Sequence, residues 1–571
     1  MLNSLNLIGI KDCSGDLLFI RRRRRIMNHL RIYFAGIVSA LILSMLWLPD
    51  TSAAEQGIKD KNNNGIDDNW ESRYNLKSED PDKDGLSNLF EYRLNLSPIT
   101  NDTDKNKVAD GFEDFDNDGL YNLAEVKMGY NPKVPDMDKN KVIQVSELID
   151  QPLAKNNRDM TELLHKAVKL GAGKIVVLPY GSSFKVSGLK IPDNTIVVGY
   201  GSKIYNDKTH QTLLTIGSGV KLYGIELQGA GNKKADSKGI GIRVKGAEAK
   251  GYAKNIIIED VNIHNVGFYG ILAEFGDDVK ISNAVIHDIG FAGVGGLSVK
   301  NMHIDNSHIK GISPGSNGNA YGVFYSRKGA ESSLKAYPRS ADSSVTNSII
   351  EDVPLWEALD THGGENIVFN NNTIRNAKIG IAFVNATGKG GKELFGSQKC
   401  TAKGNRIEGI GKGYGIVVAG SSSDNSKGCT IEGNQLTKAG QQGNSISGAI
   451  QASYSRDLVI KNNTLVHSYA NGIHLYTHNQ KFSIVGNKVE DVQDNVYKVP
   501  SAIAFRSGHN SGTISGNTLL RKNGKLNAYV SLRGINISTQ ERMDLVIGKN
   551  SNNFVLPVAG GAGKHVKYIL K

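Results

Sequence analysis

Short runs of alternating apolar and polar residues, each closed by Gly, Asn or Asp, fill the chain from Lys174 almost to its end. Alternation with period two marks half-buried strands, and the closing residues mark turns. One six-residue pattern recurs as FNNNTI (Phe369 to Ile374), AKGNRI (Ala402 to Ile407), IEGNQL (Ile431 to Leu436), IKNNTL (Ile460 to Leu465), IVGNKV (Ile484 to Val489) and ISGNTL (Ile514 to Leu519). It aligns Asn372, Asn405, Asn434, Asn463, Asn487 and Asn517 in one column, and units of roughly 20 to 35 residues are the size of single stacked coils. Amide side chains can donate and accept along such a stack. A second column of strands begins at Tyr269, Tyr321, Glu357, Ile379, Tyr414, Gly448, Asn471 and Ser501. With Ile271, Val323, Leu359, Ile381, Ile416, Ile450, Ile473 and Ile503 pointing inward, the residues one and three places later point outward. The pattern predicts a mainly β fold, a single-stranded right-handed parallel β-helix over residues 151–571. Before it, Asn157 to Leu170 places Met160, Leu163, Leu164, Ala167 and Val168 on one helical face, suited to covering the open end of the stack.

The first 150 residues carry two other patterns. Ile32 to Leu48 is a mainly apolar run with a positive start before it and small residues after it, up to Ala54. This reads as a secretory signal cut after Ala53 or Ala54, so the mature chain is expected outside the cell or at its surface, without stable membrane insertion. Upstream lie five arginines, Arg21 to Arg25. Their codons can resemble a ribosome-binding sequence, which places the true start at Met27; N-terminal sequencing that recovers earlier residues would overturn this. Residues 55–150 hold five twelve-residue loops with oxygen donors at positions 1, 3, 5, 9 and 12, the spacing that wraps a hard cation. The first offers Asp60, Asn62, Asn64, Asp68 and Glu71; the second Asp80, Asp82, Asp84, Asn88 and Glu91. The third offers Asp102, Asp104, Asn106, Asp110 and Glu113, and the fourth Asp114, Asp116, Asp118, Asn122 and Glu125. The fifth offers Asp136, Asp138, Asn140, Gln144 and Glu147. Gly65, Gly85 and Gly119 fill the sharp turn at position 6, where loops three and five have Lys107 and Lys141 and should bind more weakly. The expected cofactor is calcium, held by a small repeat domain ahead of the β-helix.

Charge separates these parts. Of a formal net charge of +12, residues 1–54 hold 7 basic and 3 acidic groups and residues 55–150 hold 12 and 22, leaving +18 for residues 151–571. A cationic large domain behind an acidic small one points to an anionic polymer as partner. Nothing in the pattern calls for nucleic acid. Cys400 and Cys429 each lie five residues before a column asparagine. Strands ~4.7 to 4.9 Å apart fall within the Cα range of a disulfide, which is therefore predicted between them.

The outward positions of the second column include Asp360 and His362, its most concentrated titratable pair. Two long insertions flank their coil, Ser326 to Ser343 and Ala386 to Lys399. They bring Arg327, Lys328, Lys335, Tyr337 and Arg339 on one side and Lys389, Lys392 and Lys399 on the other. Cations, an aromatic ring and an Asp/His pair suit a polyanionic sugar chain, whose uronate or phosphate groups the cations would pair. Elimination next to a uronate carboxyl is the favoured chemistry, with His362 as base or acid and Asp360 orienting it. Hydrolysis by a carboxylate pair, with Glu357 or Glu274 as the partner of Asp360, is the alternative. His474, Tyr476 and Arg506 face outward some coils away and fit a distant sugar subsite, as Glu274 fits one on the other side. A non-catalytic polysaccharide-binding adhesin is the reading from another class.

Two resemblances accompany these residues. The acidic loops resemble the thrombospondin type 3 and EF-hand-like calcium repeats of secreted bacterial proteins, which implies a calcium-stiffened spacer. The stacked Asn columns resemble the pectate lyase-like β-helix carbohydrate-active proteins, phage tail-spike depolymerases among them, which implies the fold and a polysaccharide substrate. Within that group, EALDTHGGENIVFNNNTI resembles the Tyr-Gly-Phe/Ile-Asp-Pro-His motif of uronan C5-epimerases and related lyases. The match carries Asp360 and His362 over as catalytic, while Glu357 stands where the motif has Tyr and Thr361 where it has Pro.

Overall fold

The computed structural model describes residues 59–149, 158–231, 238–247, 251–315, 318–329, 333–388, 393–442, 446–492, 501–521, 533–537, 543–552, 556–560 and 566–570. The expected signal, the start at Met27, Lys389 and Lys392 lie outside the described residues. The chain divides into two compact units, Met1–Met137 and Asp138–Lys571.

In the first unit, acidic loops alternate with the short helices Asp68–Tyr74, Asn88–Leu94 and Asn122–Met128. Each helix carries its loop's last carboxylate in the first turn, near the positive end of the helix. Each ends on a left-handed residue, Asn75, Asn95 or Gly129. Leu86, Leu94, Leu120, Leu123 and Ala124 are buried. The four loops from Asp60 to Glu125 all have positive φ at position 6, at Gly65, Gly85, Lys107 and Gly119. The fifth does not form. Lys141 ends the 3-10 turn Lys139–Lys141, and Val142–Gln144 is a strand in parallel register with Ile175–Val177. The β-branched Val142 and Ile143 favour extension, and Lys141 lacks the left-handed backbone that position 6 has in the other four loops, so the turn expected of five loops is present in four.

The second unit is a right-handed parallel β-helix. The helix Thr161–Leu170 buries Leu164, Ala167 and Val168 against the core that the first coils enclose. Residues of the inward column pair in sequence, Ile271 with Val294, Val323, Leu359, Ile381, Ile416, Ile450, Ile473, Ile503 and Ile535, and none is more than 1% exposed. Burying such a side chain contributes roughly 1.5 to 3 kcal/mol. At the turn, the Asn ladder runs from Asn372 to Asn550: each Oδ1 accepts from the backbone N–H and the Nδ2 of the preceding Asn. The left-handed residue is the one before each ladder Asn from Asn372 to Asn517, namely Asn371, Gly404, Gly433, Asn462, Gly486 and Gly516. That explains why the repeat reads Asn-Asn or Gly-Asn.

Cys400 and Cys429 are neighbours in adjacent coils, with Thr430 N–H donating to Cys400 O, yet both are buried free thiols. The expected disulfide is absent. Parallel strands in register point their Cβ vectors the same way, so Cβ atoms stay near the ~4.8 Å strand spacing, beyond the ~3.5 to 4.5 Å that a disulfide needs.

Candidate active site and acidic loops

The strand Ile349–His362 breaks the strict alternation at one place. Ala358 and Leu359 both belong to the buried core, so Glu357 lies on the same outward side as Asp360 and His362. A column of small residues, Gly293, Gly322, Ala358, Gly380 and Gly415, marks this break on successive coils. A Cβ on Gly322 would stand 2.4 Å from the Ala358 carbonyl oxygen, which leaves no room for a larger side chain.

Glu357, Asp360 and His362 bring one ligand atom each within 4.8 Å of one another. Asp360 Oδ2 is 2.9 Å from His362 Nε2, and His362 Nδ1 is 3.4 Å from the Asn385 carbonyl oxygen. A carbonyl only accepts, so Nδ1 carries a proton; Nε2 facing a carboxylate carries another, and the ring is an imidazolium. Burial opposes that charge, but the adjoining Asp360 carboxylate outweighs it and holds His362 up at about 9. Burial, reinforced by the Asp360 charge and opposed by His362, pushes Glu357 up to about 8. Asp360 is also raised by burial, against the pull of His362. The His362 side chain is 27% exposed and Glu357 keeps a 4% exposed edge, whereas Asp360 is 0% exposed, so of the three only Asp360 has no surface with which to meet a substrate. Both Asp360 oxygens and Glu357 Oε2 are buried without a hydrogen-bond partner, so Asp360 meets His362 as an ion pair.

Two further residues complete the site. Tyr321 pairs with Glu357 from the preceding coil, its ring edge-on to His362 at 6.2 Å, and Asn319 Nδ2 donates to its hydroxyl at 3.2 Å. Burial and the Asp360 and Glu357 charges push the phenol far up, so it keeps its proton. Lys378 Nζ stands 4.1 Å over the Trp356 ring, and its charge bears on Glu357. Both were legible only through the column: Tyr321 and Glu357 open equivalent strands, and Lys378 follows Trp356 one coil later. Tyr269, Leu272, Ala292, Tyr321 and Phe324 continue an apolar patch along the same outward face toward the first coils.

The flanking cations are placed differently from expectation. Arg327 is only 5% exposed and lies over Phe395, 5.6 Å from the ring centre; Arg339 covers the same ring at 3.9 Å and donates to the carbonyls of Gly363 and Gly396. These guanidiniums fasten the insertion that holds the hairpin Ala386–Thr387 with Glu393–Phe395, and Arg327 is corrected from substrate contact to packing. Lys328 and Arg243 both pair with Glu274, which is buried, lowered by those two cations against its burial, and three strand positions from His362. Glu274 is therefore neither the partner of Asp360 nor a free subsite residue, and Lys328 is engaged by it. Lys399 pairs with Glu365 at 3.1 Å, Lys335 is exposed and Tyr337 is half-buried. His474 is four strand positions from Asp360, roughly 19 Å at ~4.8 Å per coil. It is 1% exposed, bonded to Gln451 and pushed down to about 4 by burial, so it cannot contact a sugar. Tyr476 is half-buried at a bulge beside it and Arg506 is exposed.

The family model for the right handed beta helix region matches residues 240–423 and 339–519. The match is to a fold. Among solved structures, the family 28 exopolygalacturonase of Yersinia enterocolitica is 11% identical, with a TM-score of 0.48, covering 66% of this chain and 79% of that one. The catalytic unit of the GH87 alpha-1,3-glucanase of Streptomyces thermodiastaticus is 13% identical at a TM-score of 0.42, covering 72% and 68%. The A-module of a mannuronan C-5 epimerase of Azotobacter vinelandii is 14% identical at 0.39, covering 75% and 99%. No curated protein sequence matches. Among the described residues no helix is long and apolar enough to cross a membrane.

In the first unit, the acidic loops fit the group their spacing implies. Asp80, Asp82 and Asp84 converge, as do Asp114, Asp116 and Asp118. Glu91 and Glu125 are fully buried, with both carboxylate oxygens lacking any hydrogen-bond partner. Burial, then the surrounding aspartates, pushes each up to about 9. Loops one and three differ, because Asn64 Nδ2 donates to Glu71 and Asn106 Nδ2 to Glu113.

Proposed function

We propose that the β-helix unit is an exported enzyme that cleaves an anionic, uronate-containing polysaccharide by β-elimination. The observation that carries this reading is the buried Glu357–Asp360–His362 cluster from which one cationic imidazole emerges. His362 faces the substrate as an imidazolium, a charge that stabilises the carboxylate and the negative charge building up as the proton beside it leaves. Asp360 touches no substrate; it is a positioning residue that holds the imidazole charged and oriented. Glu357, once deprotonated, is the base that takes the proton, and Tyr321 supplies the hydroxyl that can protonate the departing oxygen. Hydrolysis by a carboxylate pair is less well supported, because Asp360 has no surface with which to reach a sugar or a water. The net charge of +18 in residues 151–571 supports an acidic polymer. Calcium held by the acidic loops would supply charge neutralisation that closes the first unit.

Incubation of the exported chain with a panel of uronate and other anionic polymers, following both unsaturated products and new reducing ends, tests this reading. Unsaturation supports elimination. Reducing ends without it support hydrolysis, and binding with neither product supports an adhesin.

A further inference from the structure

The turn that follows the third helix does something the loop spacing does not disclose. Residues 136 and 137 fold back onto loop four. Met137 N–H donates to Asp118 Oδ2 at 2.9 Å, and Asp136, by spacing the first ligand of loop five, comes with Asp118 and Glu125 to within 4.8 Å. Asp118 also belongs to the Asp114–Asp116–Asp118 group, so the two groups share one carboxylate. Asp118 and Glu125 are fully buried, and neither oxygen of Glu125 has a partner. Four carboxylates already crowd this ring, and a fifth brought in from another stretch adds repulsion that a bound cation would relieve. Loop five lacks the left-handed turn at position 6 that the other four have, and Asp136 groups with the carboxylates of loop four instead.

We propose that loop four is a five-carboxylate site for calcium in which Asp136 supplies the carboxylate that completes it, and that it is the tightest site of the segment. Affinity in such loops rises with the number of charged ligands and the rigidity of the ring. In rigidity loop four matches loop two, since Asp114 accepts from the backbone of Asp118 and Gly119 and Asp118 from Leu120, as Asp80 does from Lys83 and Gly85 and Asp84 from Leu86; the added carboxylate of Asp136 sets loop four apart.

Calcium titration of the full chain by calorimetry and chelator competition tests this, comparing Asp136→Asn, Asp138→Asn and Glu125→Gln with the unchanged protein. Asp136 is exposed, so the isosteric Asn does not threaten folding, and far-ultraviolet dichroism at saturating calcium checks this. The expected result is an about tenfold weakening of the tightest site by Asp136→Asn, its loss in Glu125→Gln, and no change in Asp138→Asn. An unchanged tightest affinity in Asp136→Asn would overturn the proposal. So would equal weakening by Asp138→Asn, which returns Asp136 to a loop of its own, or no calcium uptake at all.

Discussion

The Asp360 carboxylate beside His362 holds the imidazole charged, and that sets the pH behaviour of the site. The base Glu357 is ready above about 8, whereas the imidazolium is present below about 9. The rate should therefore rise with pH through about 8 and fall through about 9, a narrow alkaline maximum readable as kcat/KM against pH. Asp360→Asn should move the falling limb to lower pH, and an unmoved limb would remove Asp360 from its positioning role. Stability carries the same signature. Glu357 is raised in the folded chain, so between its ordinary value of 4.5 and about 8 the folded state binds more protons, and stability declines as pH rises through that window. The His362 contribution is full below 6.5 and is lost as pH rises through about 9. Urea midpoints from pH 5 to 8 should fall less steeply in Glu357→Gln than in the unchanged chain. At this scale Asp360 and His362 were legible from period two alone. Tyr321 was not, because strict alternation sends the first residue of its strand inward, and only the small-residue column betrays the break.

The turn asparagines bind one coil to the next, and each is satisfied on both sides. Asn434 accepts from Asn405 N–H and Nδ2 and donates to Ala402 O and Asn463 Oδ1. Replacing it with Ala leaves a buried N–H and a buried carbonyl unpaired, at about 1 to 3 kcal/mol each. Asn434→Ala should lower stability by about 3 kcal/mol in urea unfolding; a loss below about 0.5 kcal/mol would mean that solvent or a neighbour replaces the ladder. The ladder was readable as a column, but its left-handed partner at the preceding residue needed backbone angles. The cysteine pair misled for a related reason: spacing along the stack reports Cα distance, whereas a disulfide depends on the direction of Cβ. The basic insertions were read as substrate clamps, yet packing onto Phe395 and pairing with Glu274 claim Arg327, Arg339 and Lys328 first.

Across the whole molecule, an acidic unit of carboxylate-rich loops precedes a cationic β-helix, and the two were separable in the sequence by charge alone. The contact boundary falls after Met137 because the first strand of the β-helix is drawn from residues that continue the loop spacing. Fold was the most legible property, since many coils repeat one pattern and errors at single positions average out. Chemistry was the least, since it rests on a few side chains whose exposure no periodicity reveals. Elimination at this site is tested most directly by following ultraviolet absorbance of unsaturated sugar during turnover of a uronate polymer by the unchanged chain, Glu357→Gln and His362→Ala. Absorbance should grow with the unchanged chain and fall roughly 10²- to 10⁴-fold in rate in both variants. Cleavage that yields reducing ends without absorbance, or variants that match the unchanged chain, would contradict elimination at this site.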